Sequence, residues 1–131
     1  MALIVKKFGG SSVGNIDKIK AVAKRILDEK QPDDKIVVVV SAMGDTTDDL
    51  IQLAKGITKD PYQYTREMDM LLTTGEQVSI SLLTMAFKAL GQKAISLTGA
   101  LAGVKTNSVH TKGKIKDIQP KRIFEELDKG N

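Results

Sequence analysis

The sequence predicts a three-layer α/β/α domain built on a mainly parallel sheet. Three observations carry this reading. Strand, glycine turn and helix follow one another twice within the first 58 residues. Ile36-Val37-Val38-Val39-Val40 is an unbroken β-branched run, and the lack of alternation implies a strand covered on both faces, as at the centre of a parallel sheet. The chain has 131 residues, 41% hydrophobic and 27% charged, which suits a single globular domain with a core of its own.

Leu3 to Phe8 reads as the first strand, closed by Gly9-Gly10-Ser11-Ser12. Ile16, Ile19, Val22, Ala23, Ile26 and Leu27 then recur at helical spacing. Asn15 or Ser12 is the expected cap of that helix and Asp17 complements its first turn. Pro32-Asp33-Asp34 marks a turn. The strand at 36–40 ends in Ser41-Ala42-Met43-Gly44, and Thr46 or Thr47 is expected to cap a helix carrying Leu50, Ile51, Leu53, Ala54 and Ile57. Pro61 to Leu72 is polar and then Met-rich. Thr73-Thr74-Gly75-Glu76 interrupts it with the pattern of a capping box, Thr73 as cap and Glu76 reaching back. A long helix should follow through Val78, Leu82, Leu83, Ala86, Phe87 and Leu90 to Gly91. Ala94-Ile95-Ser96-Leu97 is the expected third strand, closed by Thr98-Gly99. Residues 100–117 read as a loop with a short strand near Lys114-Ile115, and Gln119-Pro120 opens a last helix through Ile123, Phe124 and Leu127 towards Gly130. The rhythm calls for another strand after it, the mark of an incomplete domain.

Composition removes several chemistries. No cysteine is present, which excludes disulfides, thiolate metal sites and a cysteine nucleophile, and one histidine cannot form a metal cluster. No apolar run approaches the roughly 20 residues that span a bilayer. At the start, Lys6 and Lys7 follow the apolar residues rather than precede them, the reverse of a signal peptide, so the expected location is cytoplasmic. Net charge is +4, but the basic residues are scattered among acids. With three Phe, two Tyr and no Trp there is no stacking platform for nucleic acid. Small anions suit this charge equally well.

Three predicted strands end in small or hydroxyl residues, at 9–12, 41–44 and 98–99. Ligands of open α/β sheets sit beyond the carboxyl ends of strands, and glycines let phosphate or carboxylate approach the backbone. Any one such loop is more readily a tight turn; three in register favour a site. Alternation sends Lys6 and Lys7 to opposite faces, so a lysine beside Gly9-Gly10 can steady a phosphoryl oxygen, or be a solvated strand end. No Gly-x-Gly-x-x-Gly occurs. Gly99 to Thr106 approaches a Walker A pattern but has its second glycine one place early and opens no helix. Glu76 and Thr47 each have a capping reading beside a ligand reading. His110 has no evident partner, Met43, Met68, Met70 and Met85 read as core filler, and Asp48-Asp49 as a solvated helix start.

The loops resemble those of one family. Lys7-Phe8-Gly9-Gly10-Ser11-Ser12-Val13 is similar to the opening signature of aspartokinases, with Ser11 where Thr is commoner. Ser41-Ala42-Met43-Gly44-Asp45-Thr46-Thr47-Asp48-Asp49-Leu50 resembles the second loop and Arg66 to Gln77, with Thr73-Thr74-Gly75-Glu76, the third. Thr98-Gly99 and Lys105-Thr106-Asn107-Ser108-Val109-His110 follow in order. The resemblance covers essentially the whole chain. It implies an amino-acid-kinase (carbamate-kinase-like) fold, N-terminal lobe only, and transfer of the ATP γ-phosphoryl, with Mg2+, to the side-chain carboxylate of L-aspartate, the opening step towards lysine, threonine and methionine. It implies that Lys7 contacts the phosphoryl group in flight, that Phe8, Gly9, Gly10 and Ser11 form the phosphate loop, that Ser41 lines the same site, and that Thr47 and Glu76 hold aspartate, Glu76 by its ammonium. No metal-ligating residue is assigned.

The family pattern continues into a nucleotide half and regulatory ACT domains, which residues 1–131 do not include. The chain is therefore expected to be inactive alone and to associate with itself through an open sheet edge or with a complementary chain. A non-catalytic binding module and a fragment of another amino-acid kinase, such as an acetylglutamate or glutamate kinase, are the alternatives.

Overall fold

The computed structural model describes residues 2–131. In chain order it has β1 (Leu3–Phe8), α1 (Ile16–Glu29), β2 (Lys35–Val40), α2 (Thr46–Ile57), α3 (Thr65–Ala89), β3 (Val104–Thr106), β4 (Ile115–Ile118) and α4 (Lys121–Asp128), with 3-10 turns at Gly10–Val13 and Pro61–Gln63. The α/β class is the expected one. β1 and β2 pair in parallel, Leu3 opposite Lys35 through Phe8 opposite Val40. β3 and β4 form a separate antiparallel pair.

The core lies on one face of the parallel pair. α1 contributes Ile19, Val22, Ala23 and Ile26, α3 contributes Leu83 and Phe87, and Phe8, Ile36, Val38 and Val40 pack against them from the strands. Each fully buried Val, Ile or Phe removes enough apolar area to stabilise the fold by about 1.5–3 kcal/mol before entropy is counted. α1 starts where expected, with Asn15 Oδ1 accepting the Lys18 N–H at 2.9 Å. α4 likewise begins after Pro120, and Gly130 closes it at φ +89°.

Several expectations are corrected. The all-β-branched run of β2 does not have both faces covered: Val39 is 47% exposed and Val5, on the same face of β1, 65%. In a two-stranded sheet the helices α1 and α3 shield only one side. Residues 94–97 form no strand, because among the described residues they make no ladder with a neighbour, although Ala94 still packs on the core. Residues 100–117 hold β3, which the sequence reading lacks, while β4 stands at the short strand expected near Lys114-Ile115. Of the methionines read as filler, Met68 is buried and Met43 packs on the core, whereas Met70 and Met85 are exposed.

The largest correction concerns 73–76. No helix begins there: α3 runs unbroken for 25 residues, roughly 37 Å. Thr73 and Thr74 cannot cap it. Their hydroxyls donate instead to the carbonyls of Met70 and Leu71, at 3.0 and 2.7 Å, satisfying themselves inside the helix. Gly75 costs the helix about 1 kcal/mol relative to Ala. Its packing offsets this, since it is buried and a Cβ there would lie 3.0 Å from the Cβ of Ala42 and 3.4 Å from Cγ2 of Thr46. The same substitution of roles occurs at α2. Neither Thr46 nor Thr47 caps it; Asp45 occupies the cap position without a side-chain bond, and the Thr46 hydroxyl donates to the Met43 carbonyl at 2.6 Å.

Candidate active site at the strand ends

The two glycine loops are bonded to each other directly. The Ser41 N–H donates to the Phe8 carbonyl at 3.2 Å and the Gly44 N–H to the Gly10 carbonyl at 2.9 Å. Gly10 must be glycine, because a Cβ would sit 2.8 Å from the Ala42 carbonyl oxygen. Gly44 adopts φ +48°, which favours glycine for a different reason. Gly9 faces open space, with nothing within 4 Å of where its Cβ would be, so a ligand can reach its backbone. α3 joins this pair of loops through the close approach of Gly75 to Ala42 and Thr46. The residues after Phe8, those after Val40 and the middle of α3 therefore meet in one place. Glu76 follows Gly75 on the helix and is exposed, Thr47 is half-buried in the first turn of α2, and Ser41 is half-buried at the end of β2.

The charges are sorted in a telling way. Lys6, on the core side of β1, is committed to Glu29 at 2.6 Å. That hydrogen bond, with a second from Arg25, holds the Glu29 carboxyl down at about 2. Lys7 points to the opposite face and is exposed. Among the described residues neither Lys7 nor Glu76 is engaged in an ion pair, whereas Lys24, Arg25, Lys35, Arg66 and Arg122 all are. Asp45, Asp48 and Asp49, beside the second loop, likewise form no ion pair among the described residues.

Phe8 is placed by the same alternation on the core side. Its side chain packs against the core and borders a cleft with Ser11, Ser12, Lys18 and Arg25, while its carbonyl ties the two loops together. Ser11 is exposed and its carbonyl accepts Lys18 Nζ at 3.1 Å. Asp48 and Asp49 are exposed in the first turn of α2, as expected. Among the described residues no three acidic or histidine side chains cluster as a metal site. Gly99 to Gly103 forms tight turns leading into β3, not a helix start, and Gly103 is required there: at φ +87° its Cβ would collide with the Gln119 carbonyl.

The fourth sequence motif reaches α3 by a contact that the sequence did not reveal. His110 does have a partner: its Nδ1 lies 2.7 Å from Asp69 Oδ2, and the Thr111 N–H donates to both oxygens of the same carboxylate. Asp69 lies in α3, seven residues before Glu76. An unbroken helix would have placed both on one face; reading a helix break at residues 73–76 hid that relation.

The sequence model of the amino acid kinase family matches residues 2–131. The chain is 52% identical over 130 residues to aspartokinase 2 of Bacillus subtilis (strain 168) and 53% identical over 130 residues to an aspartokinase of Geobacillus stearothermophilus, covering 99% of this chain in each case. It spans 31% of the length of each of these relatives. The crystal structure of aspartate kinase from Synechocystis superimposes with a TM-score of 0.81 at 49% identity, over 98% of this chain and 20% of that one. With the family model matching nearly every residue, this chain belongs to the amino acid kinase family.

Proposed function

We propose that these 131 residues form the aspartate- and phosphate-holding part of an aspartate kinase. The observation that carries the reading is the junction of the loops at 8–14 and 41–47 with Gly75 of α3, which Lys7 and Glu76 adjoin in sequence. In this reading ATP presents its γ-phosphate to the loop at Gly9-Gly10-Ser11, where Gly9 leaves the backbone open. Lys7 balances charge on the transferring phosphoryl group. Glu76 takes the ammonium of L-aspartate, and Thr47 and Ser41 fix its orientation. The side-chain carboxylate is already a nucleophile at neutral pH, so no general base is required. The protein's contribution is placement and neutralisation of two anions that repel each other. Mg2+ usually keeps one or two carboxylates plus substrate phosphates as ligands, so it would accompany ATP rather than a cluster of this chain's own residues. The product would feed lysine, threonine and methionine synthesis, in the cytoplasm.

Because the chain spans about a third of its relatives' length, we infer that it does not turn over alone. A coupled assay for aspartyl phosphate tests this. The 131-residue chain should be silent with ATP, Mg2+ and L-aspartate, and should gain activity when a chain supplying the remainder of an aspartokinase is added. Robust turnover by the chain alone removes the inference of inactivity. Failure to gain activity in any such mixture, with the chain folded, favours a non-catalytic binding module.

A further inference from the structure

Asp69 is spent on a segment 41 and 42 residues away in sequence. Its carboxylate accepts the Thr111 N–H at 3.0 and 3.1 Å and lies 2.7 Å from His110 Nδ1. An ionised carboxylate only accepts, so Nδ1 carries the proton in this pair. Thr111 has φ +62°, a conformation that is strained for a non-glycine residue and persists only where the surroundings enforce it. Asn107 braces the other end of the loop: its Oδ1 accepts the N–H groups of Val109 and Lys114, and its own N–H donates to the Lys114 carbonyl. Residues 107–113 are thus a built loop with two anchors, one of them on α3.

The position of that anchor gives it a function. Seven residues are two helical turns, so Asp69 lies roughly 10 Å along α3 from Glu76, and Asp69, Thr73 and Glu76 share one stripe of the helix. Thr73 and Glu76 are exposed on it. Lys112, in no ion pair among the described residues, puts positive charge on the loop held over the far end of that stripe, and Lys114 stands at the loop's base. We propose that Asp69 is a positioning residue: by clamping His110 and Thr111 it fixes loop 107–113 on the stripe of α3 that carries Glu76, two turns from it, and Lys112 gives that loop the charge that attracts the carboxylates of an acidic amino acid. This rests on the reading of Glu76 as the ligand of the substrate ammonium.

The test is a backbone-amide NMR titration of the 131-residue chain with L-aspartate, and separately with ATP, in the natural sequence and in Asp69→Ala, Asp69→Asn and His110→Ala. The natural chain should respond to L-aspartate at Thr47, Glu76 and the loop. Asp69→Ala should speed exchange of the Thr111 amide and weaken L-aspartate binding about tenfold, while ATP affinity read at Gly9 to Ser11 is unchanged. Asp69→Asn, which keeps an acceptor for Thr111, should show a smaller loss. His110→Ala removes one contact without touching α3, so it gives the answer even if the Asp69 variants fold poorly; it too should weaken L-aspartate binding. Unchanged L-aspartate affinity with a released loop overturns the clamp and leaves the Glu76 reading standing. A natural chain that does not respond to L-aspartate at Glu76 overturns both.

Discussion

At the scale of single residues, strand alternation gives the adjacent lysines of β1 different surroundings. Lys6 faces α1 and is held by Glu29; Lys7 faces away and is held by nothing among the described residues. Lys7→Met should therefore leave folding intact and lower the activity of the reconstituted enzyme by about 100–1000-fold, the usual cost of removing one transition-state charge partner. Full activity in that variant would refute its role. The structural lysine makes a different prediction. Glu29 is held at about 2, down from 4.5, chiefly by Lys6. A depressed carboxylate contributes stability above its unfolded value and loses it as pH falls through the folded one. The Glu29 contribution is thus present above about pH 4.5 and disappears towards pH 2. In Lys6→Gln the Glu29 titration followed by NMR should move up towards 4.5, and the acid limb of the stability curve should flatten. A midpoint that stays near 2 would show that Lys6 is not the cause.

At the scale of elements, what the sequence disclosed depended on whether a signal was local. β1, α1, β2 and α4 follow from a β-branched run, an apolar stripe with an Asn cap, and a proline start. Each of these acts within a few residues. The reading failed at Thr73-Thr74-Gly75-Glu76, where a start pattern lies inside a continuing helix. The hydroxyls there find carbonyls three residues back, and the glycine is repaid by Ala42 and Thr46, which are distant in sequence. The same cause hid Asp69. The partner of His110 lies 41 residues away and no local pattern announces it. The strand expected at 94–97 failed similarly, since a strand exists only through its neighbour. Gly75 gives this scale its prediction. Gly75→Ala favours the helix by about 1 kcal/mol but presses a methyl against Ala42, and overpacking costs about 1–3 kcal/mol. Urea denaturation should show net destabilisation together with weaker L-aspartate binding. A more stable variant would mean that α3 and the second loop are less tightly joined than the geometry shows.

For the whole molecule, the open face of the β1–β2 pair is the dominant feature. Leu3, Val5 and Val39 are exposed on it, and Ile57 on α2 is 89% exposed. Strand edges without partners and contiguous apolar surface both promote association. Light scattering of the 131-residue chain at high concentration should report oligomers, and a monodisperse monomer would contradict that expectation. The loops, by contrast, are assembled within this one chain. The glycine-rich turns were legible from sequence, and glycine is required where Gly10 meets the Ala42 carbonyl. Their convergence with α3 was not, because it depends on packing across the strand–helix units. That convergence is best tested by a two-ligand titration of the natural chain, monitored at every backbone amide. The geometry predicts that L-aspartate shifts Thr47 and Glu76, that ATP shifts Gly9, Gly10 and Ser11, and that each ligand alters the response to the other; independent responses at unrelated surfaces, or none at these residues, would contradict a shared site.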